Sequence, residues 1–192
     1  MSSGEQIVDV GRGVRICYER LGSPSDPPLL LIMGLGQQLL AWSDEFCAAL
    51  IDRGFQPIRF DNRDVGRSTH WAMRPPGMAQ LVTRRFDPEQ YDLGDMAADT
   101  AALLDALELS PAHVVGVSMG GMLGQTLAAR YPDHVRTLVS IMSSTGARRA
   151  GWAAPSTLRL MFHAPPADRD QAADRAAVMF RSEERRVGKE CA

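Results

Sequence analysis

The chain has 192 residues, of which 45% are hydrophobic and 23% charged, and its formal net charge is −2. This composition is ordinary for a globular domain, and the charge gives no electrostatic case for a nucleic-acid partner or a membrane surface. The first residues have no signal-peptide pattern and no run is long enough to span a bilayer, so we expect a cytoplasmic protein. Cys17 and Cys47 are isolated in the sequence, which indicates reduced thiols and no metal site.

The first part of the chain predicts a hairpin followed by alternating strands and helices. Apolar and polar residues alternate over 7–10 and 14–19 around Gly11-Arg12-Gly13, which predicts two antiparallel strands. The fully apolar run at 29–33 predicts a buried strand, and Pro57-Ile58-Arg59-Phe60 predicts another short strand. Between them, a helical pattern over 42–53, with Phe46, Leu50 and Ile51 at helical spacing, ends at Gly54.

The second part continues this alternation after a long loop at 62–90. Asp92 is placed to cap a helix whose apolar face carries Met96, Thr100, Leu103, Leu104 and Leu107. Strands are predicted at 113–117 and 137–142, with a helix between them that stops at Pro132. Strands separated by helices pair in parallel with right-handed crossovers. The predicted fold class is therefore α/β, a doubly wound and mostly parallel sheet with an N-terminal antiparallel hairpin.

The motif Gly116-Val117-Ser118-Met119-Gly120 lies where a predicted strand turns into a predicted helix. This context is typical of a nucleophile elbow, in which a strained turn projects a serine hydroxyl clear of the backbone. Gly116 and Gly120 fit the elbow because larger side chains there would collide with the neighbouring strand and helix. The alternative is an ordinary glycine-rich loop between a strand and a helix.

Ligands of such sheets bind beyond the carboxyl ends of the strands, so the loops leaving the strands are candidate site elements. The loop after the 29–33 strand contains Gly34, Leu35 and Gly36, and its glycines allow the backbone to approach a substrate. The main-chain N–H of Leu35 is placed to hold an oxyanion together with the N–H of Met119. The alternative is a plain glycine turn.

Two further loops leave the same predicted edge. The Asp61–Ser68 loop carries charges that could touch a substrate, but short polar side chains that bond the backbone of a tight loop are the favoured interpretation. The loop at 143–146 offers hydroxyl groups and no carboxylate.

No histidine is evidently placed to activate Ser118. His113 and His134 open or precede strands, which puts them at the opposite edge of the sheet. His70 lies in a loop on the correct side but lacks an evident carboxylate to orient it. His163 lies in a region with two helical patterns.

These motifs together resemble the α/β-hydrolase fold family, and the 114–121 run resembles the aclacinomycin methylesterase-like branch of carboxylic ester hydrolases. The resemblance covers about residues 7–180 and departs at Met33, where many members carry a histidine that shapes the loop. It implies a core over 1–146, the beginning of a helical cap over 147–180, and a catalytic acid and histidine that follow the serine. Neither partner is recognisable in the sequence, so the resemblance implies an incomplete α/β-hydrolase fold that ends before its acid and base.

Residues Arg181–Cys191 look like the translation of a common short-read sequencing adapter. We therefore expect 181–192 to be a non-native tail that takes no part in the fold.

The resulting functional prediction is a cofactor-free serine hydrolase that forms an acyl-enzyme with a small carboxylic ester. The printed chain alone is expected to be inactive, and its oligomeric state is left open. The same scaffold also supports a non-catalytic small-ligand receptor, or C–C bond hydrolase, perhydrolase or aminopeptidase chemistry. A nucleotide-binding domain ranks behind these, because the glycine motif matches neither G-x-G-x-x-G nor a phosphate loop with lysine.

Overall fold

The computed structural model describes residues 4–71, 80, 87 and 90–146. All of these residues belong to one unit, Met1–Gly151. The predicted cap over 147–180 with His163, the predicted tail over 181–192 and most of the second half of the long loop lie outside the described residues. Their domain assignments stay predictions.

Six strands of the described part of the chain form one mixed sheet. They are β1 (Gln6–Asp9), β2 (Arg15–Arg20), β3 (Pro28–Ile32), β4 (Gln56–Phe60), β5 (Ala112–Val117) and β6 (Val135–Ile141). Their order across the sheet is β1-β2-β4-β3-β5-β6. The β1–β2 and β2–β4 pairs are antiparallel, whereas β4–β3, β3–β5 and β5–β6 are parallel. The predicted fold class, a mostly parallel sheet with an N-terminal antiparallel hairpin, is confirmed.

The helices that flank the sheet are α1 (Asp44–Ile51), α2 (Leu93–Ala106) and α3 (Met119–Arg130), with 3₁₀ helices at Leu39–Ala41 and Pro132–His134. Asp92 caps α2 as predicted, and its carboxylate accepts the N–H groups of Gly94 and Asp95. The Asp95 side chain bonds back to the Asp92 N–H at 2.9 Å, which completes a capping box. None of the described helices is long and apolar enough to cross a membrane.

The first helix is shorter than its sequence pattern predicts. It begins at Asp44 because the Ser43 hydroxyl caps it, accepting the Phe46 N–H at 3.2 Å. Trp42 precedes the helix and is buried, and the Phe46 ring stacks on it at 5.3 Å between centroids while remaining 41% exposed. Cys47 is the buried residue of α1, and the predicted apolar positions Leu50 and Ile51 are partly buried against the same core.

Alternate strand residues point to opposite faces of the sheet and build two separate cores. On one face, Leu30, Ile32, Ile58 and Phe60 pack with the apolar residues of α2 and α3. On the other face, Leu29 and Leu31 pack with Trp42 and Cys47 of the α1 region. This two-sided burial explains why β3 is a continuous apolar run.

The parallel strands end at a common edge. Ile32 of β3 is in register with Gly116 of β5, and Val117 is in register with Ile141 of β6. The loops that begin at Met33, Ser118 and Met142 therefore leave the sheet side by side, at the edge where α/β folds bind ligands.

Candidate active site

Ser118 has an unusual backbone conformation. Its φ is 56° and its ψ is −119°, in a region that non-glycine residues seldom occupy. The residue joins the end of β5 directly to the first residue of α3, and its N–H donates to the carbonyl of Ile141 on β6 at 2.9 Å. The side chain is half-buried. Such a turn directs the serine hydroxyl away from both the strand and the helix.

Two glycines allow this turn to pack tightly. A Cβ atom on Gly116 would lie 2.5 Å from the carbonyl carbon of Gly120, and one on Gly120 would lie 2.7 Å from the carbonyl oxygen of Met33. Real Cβ atoms do not approach backbone atoms so closely. The α3 helix therefore begins in direct backbone contact with β3 and β5.

The loop after β3 lies against Ser118. A Cβ atom on Gly34 would be 3.3 Å from Ser118 Cβ and 3.8 Å from Ser118 Oγ. The loop closes as a turn in which the Gln37 N–H donates to the Gly34 carbonyl at 3.2 Å, with Gly36 at a φ of 68° that glycine adopts without strain. Leu35, at the start of this turn, is 64% exposed.

Met119 is the first residue of α3. The first N–H groups of a helix have no carbonyl partner within the helix, and the helix dipole makes this end attractive to negative charge. The sequence-predicted oxyanion donors, the N–H groups of Leu35 and Met119, thus come from a turn beside Ser118 and from the residue that follows it. Their role in holding an oxyanion stays a prediction.

Polar side chains hold the loop after β4 in place. The Asp61 carboxylate is 3% exposed and accepts the N–H groups of Leu39 at 2.7 Å and Arg67 at 2.9 Å. The Ser68 hydroxyl donates to the Asp61 carbonyl at 2.6 Å and accepts the Cys17 N–H at 2.9 Å. These bonds support the favoured interpretation of the Asp61–Ser68 loop, in which short polar side chains bond the backbone.

Arg63 anchors the same loop to α2. It bonds to Asp99 at 2.6 Å through Nε, and its guanidinium lies 4.7 Å from the centre of the Tyr91 ring. Asp99 also accepts Arg12 at 3.0 Å. Burial raises the pKa of Asp99 while the two arginines oppose that rise, and burial together with Asp64 raises the pKa of Tyr91. Asp99 is therefore paired with Arg12 and Arg63, and the Arg63 guanidinium also lies against the Tyr91 ring.

The described histidines bond to groups other than Ser118. His113 Nδ1 lies 2.7 Å from Thr137 Oγ1, and His134 Nε2 lies 2.9 Å from Asp105 Oδ1. Both lie near the amino ends of β5 and β6, as predicted. His70 is exposed, and its Nε2 lies 3.0 Å from the Gly66 carbonyl oxygen.

The two described thiols are free and buried. Burial, with the nearby charges of Asp61 and Glu5, raises the pKa of Cys17 to about 11. Burial likewise raises the pKa of Cys47. Because the thiolate is the reactive form, neither thiol is a nucleophile at neutral pH. Among the residues that the structure describes, no group of His, Cys, Asp and Glu side chains is arranged to hold a metal ion.

Sequence reasoning did not single out Met142 as a candidate site residue. It directly follows Ile141, whose carbonyl accepts the Ser118 N–H, and its side chain is 67% exposed. Its φ of 48° lies in the left-handed region. An apolar residue at the end of an apolar strand is indistinguishable in sequence from a buried strand residue, so no local signal marked it.

Comparison with known proteins agrees with this geometry. A family model described as alpha/beta hydrolase fold matches residues 27–177. Rhodomycin D methylesterase DnrP from Streptomyces peucetius is 37% identical over 131 residues, which cover 67% of this chain and 39% of that protein. DauP, the rhodomycin D methylesterase of Streptomyces sp. (strain C5), is 37% identical over 129 residues, with the same two coverages of 67% and 39%.

A solved hydrolase from Pseudomonas aeruginosa PA01 superimposes with a TM-score of 0.62 at 29% identity, covering 83% of this chain and 52% of that one. The thioesterase domain from the curacin biosynthetic pathway superimposes with a TM-score of 0.58 at 26% identity, covering 82% of this chain and 50% of that one.

The chain belongs to the α/β-hydrolase fold family. Its similarity to the rhodomycin D methylesterases supports the predicted aclacinomycin methylesterase-like branch of that family. It spans 39% of the length of these curated relatives.

Proposed function

We propose that Ser118 is the nucleophile of a serine hydrolase that cleaves a small carboxylic ester without a cofactor. The observation that carries this proposal is the backbone of Ser118, a serine at φ 56° between a parallel strand and a helix. Such a conformation costs about 1–3 kcal/mol and persists only where the surrounding structure enforces it. A requirement to present the hydroxyl to a substrate accounts for that cost.

In the proposed reaction, Ser118 Oγ attacks the ester carbonyl and passes its proton to a histidine. The carbonyl oxygen becomes an oxyanion, which the N–H groups of Leu35 and Met119 stabilise. The tetrahedral intermediate then expels the alcohol, which takes up that proton, and leaves an acyl-enzyme. Water, activated by the same histidine, releases the acid. We expect the histidine and its carboxylate partner on sequence beyond this chain.

The proposed substrate is the ester of an apolar carboxylic acid. Leu35 and Met142 both leave the sheet edge next to Ser118, and they are 64% and 67% exposed. Large apolar side chains that are exposed together commonly mark a binding surface. A methyl ester is the first choice, because the relatives DnrP and DauP carry the name methylesterase.

The experiment uses the parent protein, meaning this chain with the downstream sequence of its complete gene. Rapid mixing with a p-nitrophenyl ester is expected to give a burst of p-nitrophenol that matches the enzyme concentration, followed by slower turnover. The Ser118→Ala variant should lose both phases. The Ser25→Ala variant, which removes an exposed hydroxyl before β3, should retain them.

The receptor alternative predicts a different outcome. The described histidines bond to Thr137, Asp105 and Gly66, and this arrangement is also compatible with a protein that binds without turnover. Tight binding of an apolar ester with no burst and no turnover would replace the hydrolase proposal with that alternative.

A further inference from the structure

The loop that carries Leu35 has little internal structure of its own. Its one internal backbone bond in the described residues runs from the Gln37 N–H to the Gly34 carbonyl, at the long distance of 3.2 Å. An oxyanion donor is effective only when it is held in place before the reaction, because its stabilising effect is greatest when the N–H need not reorient as the charge develops. The structure must therefore hold this loop from outside.

Two buried side chains of the neighbouring loop contact both ends of it. The Asn62 Nδ2 donates to the carbonyl of Met33, the residue before Gly34, at 3.3 Å. The Asp61 carboxylate accepts the N–H of Leu39 at 2.7 Å. Asp61 and Asn62 are each 3% exposed, so water competes little for these bonds.

The Met33 carbonyl also faces the elbow. A Cβ atom on Gly120 would lie 2.7 Å from its oxygen, so the Met33–Gly34 peptide is confined between the start of α3 and the Asn62 amide. The bond from Asn62 fixes the plane of that peptide. That plane contains the Gly34 N–H. The Leu35 N–H lies in the next peptide, whose position depends on this plane together with φ and ψ of Gly34.

Asp61 is itself fixed in place. Its second carboxylate oxygen accepts the Arg67 N–H at 2.9 Å, and its carbonyl accepts the Ser68 hydroxyl at 2.6 Å. Ser68 in turn is bonded to the backbone of Cys17 on β2. The loop after β3 is therefore connected, through Asp61 and Ser68, to β2.

We propose that Asn62 and Asp61 are positioning residues that set the Leu35 N–H for oxyanion stabilisation. They act through the Met33 carbonyl and the Leu39 N–H, and neither needs to touch the substrate. This inference rests on the proposed function of Ser118. The positioning role explains why polar and charged residues of the loop after β4 are buried beside the site without taking part in the reaction.

The test uses the parent protein and a matched pair of substrates, an ester and its thionoester, in which sulfur replaces the carbonyl oxygen. Sulfur accepts hydrogen bonds weakly, so an intact oxyanion hole favours the oxygen ester. The ratio of the two kcat/KM values does not depend on the fraction of enzyme that is folded. A purely structural role would leave this ratio unchanged.

The Asn62→Ala and Asp61→Asn variants are expected to lower the oxygen-to-sulfur ratio by about tenfold or more, since misplacement by about 1 Å can cost on the order of a hundredfold. The loss of activity of these variants toward the oxygen ester should appear mainly as a lower kcat. Thr100→Val is the control, because it removes a buried bond to the Met96 carbonyl, 2.8 Å long, in the middle of α2. It should destabilise the protein without moving the ratio.

An unchanged ratio in both variants would overturn the positioning role. If Asn62→Ala fails to fold, Asn62→Asp keeps the side-chain volume while replacing the donor with an acceptor, and the same ratio decides the question. Serine-dependent turnover with an unchanged ratio refutes only this inference. Turnover that survives Ser118→Ala refutes the proposed function itself.

Discussion

At the scale of single residues, two strained positions meet at the end of the sheet. Ser118 and Met142 both have positive φ values, 56° and 48°, and the N–H of Ser118 bonds to the residue just before Met142. Strain of this kind tends to collect at functional sites. The G-x-S-x-G motif predicted the strained turn at Ser118, because its glycines indicate a tightly packed turn. Nothing in the local sequence predicted the second.

The buried thiols give a prediction at this scale. In the folded parent protein, Cys17 and Cys47 should resist a thiol reagent such as dithiobisnitrobenzoate at pH 8, since burial raises the pKa of both. Both should react at once in guanidinium chloride, where the pKa returns to its ordinary value of about 8.5. Mass spectrometry of the labelled peptides assigns the sites. Rapid labelling of Cys17 in the native protein would contradict the burial argument.

The raised pKa of Cys17 also makes the stability of the protein depend on pH. The Cys17 thiol stays protonated in the folded state up to about pH 11, whereas an unfolded thiol ionises near 8.5. Between these values the unfolded state binds fewer protons, so the contribution of Cys17 to the free energy of unfolding falls as the pH rises. Urea unfolding measures this effect. The free energy of unfolding of the Cys17→Ala variant should fall less with rising pH in this range than that of the parent protein.

At the scale of elements, local and long-range contacts differ in how well the sequence predicts them. The capping box of α2 depends on residues three positions apart, and the Asp92 cap was predicted. The bond from Asn62 to Met33 spans 29 positions, and no local pattern encodes it. The sequence indicated only that the loop after β4 was rich in short polar residues, so its partners had to come from the structure.

The start of α3 provides a matched pair of substitutions. Gly120→Ala would place a methyl group 2.7 Å from the Met33 carbonyl oxygen, against backbone that cannot move without displacing the elbow. Gly124→Ala, one turn later, would meet the Leu138 Cδ1 at 2.8 Å, the end of a flexible side chain. Both gain about 1 kcal/mol of helix propensity.

Gly120→Ala is expected to lower the free energy of unfolding by on the order of 3 kcal/mol and to abolish activity, because overpacking against backbone is costly. Gly124→Ala should change the free energy of unfolding by less than about 1 kcal/mol. Urea unfolding of the parent protein measures both values. Equal effects of the two substitutions would refute the close contact between α3 and β3.

At the scale of the whole molecule, the described part of the sheet ends at β6, which carries exposed apolar side chains. β6 pairs with β5 along one side, and in the described residues no strand pairs with its other side. Val139 and Ile141 are 51% and 37% exposed, although both belong to an apolar strand. An exposed apolar edge invites pairing with other chains. The alternation of strands and helices predicted this strand over 137–142.

The printed chain, Met1 to Ala192, should therefore aggregate and show no serine-dependent turnover. Folded domains are stable by only about 5–15 kcal/mol, and loss of burial along one strand can remove much of that margin. In the described residues no histidine bonds to Ser118, and a serine hydroxyl without an adjacent base is a poor nucleophile. Size-exclusion chromatography and a thermal melt test the first point, and ester assays beside Ser118→Ala test the second. A monomer with a cooperative melt and ordinary esterase activity would contradict both.

The central claim is that Ser118 is the nucleophile, and covalent labelling of the parent protein tests it most directly. A fluorophosphonate probe reacts with a serine that a neighbouring base activates, and peptide mapping by mass spectrometry locates the adduct. We predict a single adduct on Ser118 and no labelling of the Ser118→Ala variant. Labelling that persists in that variant, or an adduct on a different serine, would contradict the claim.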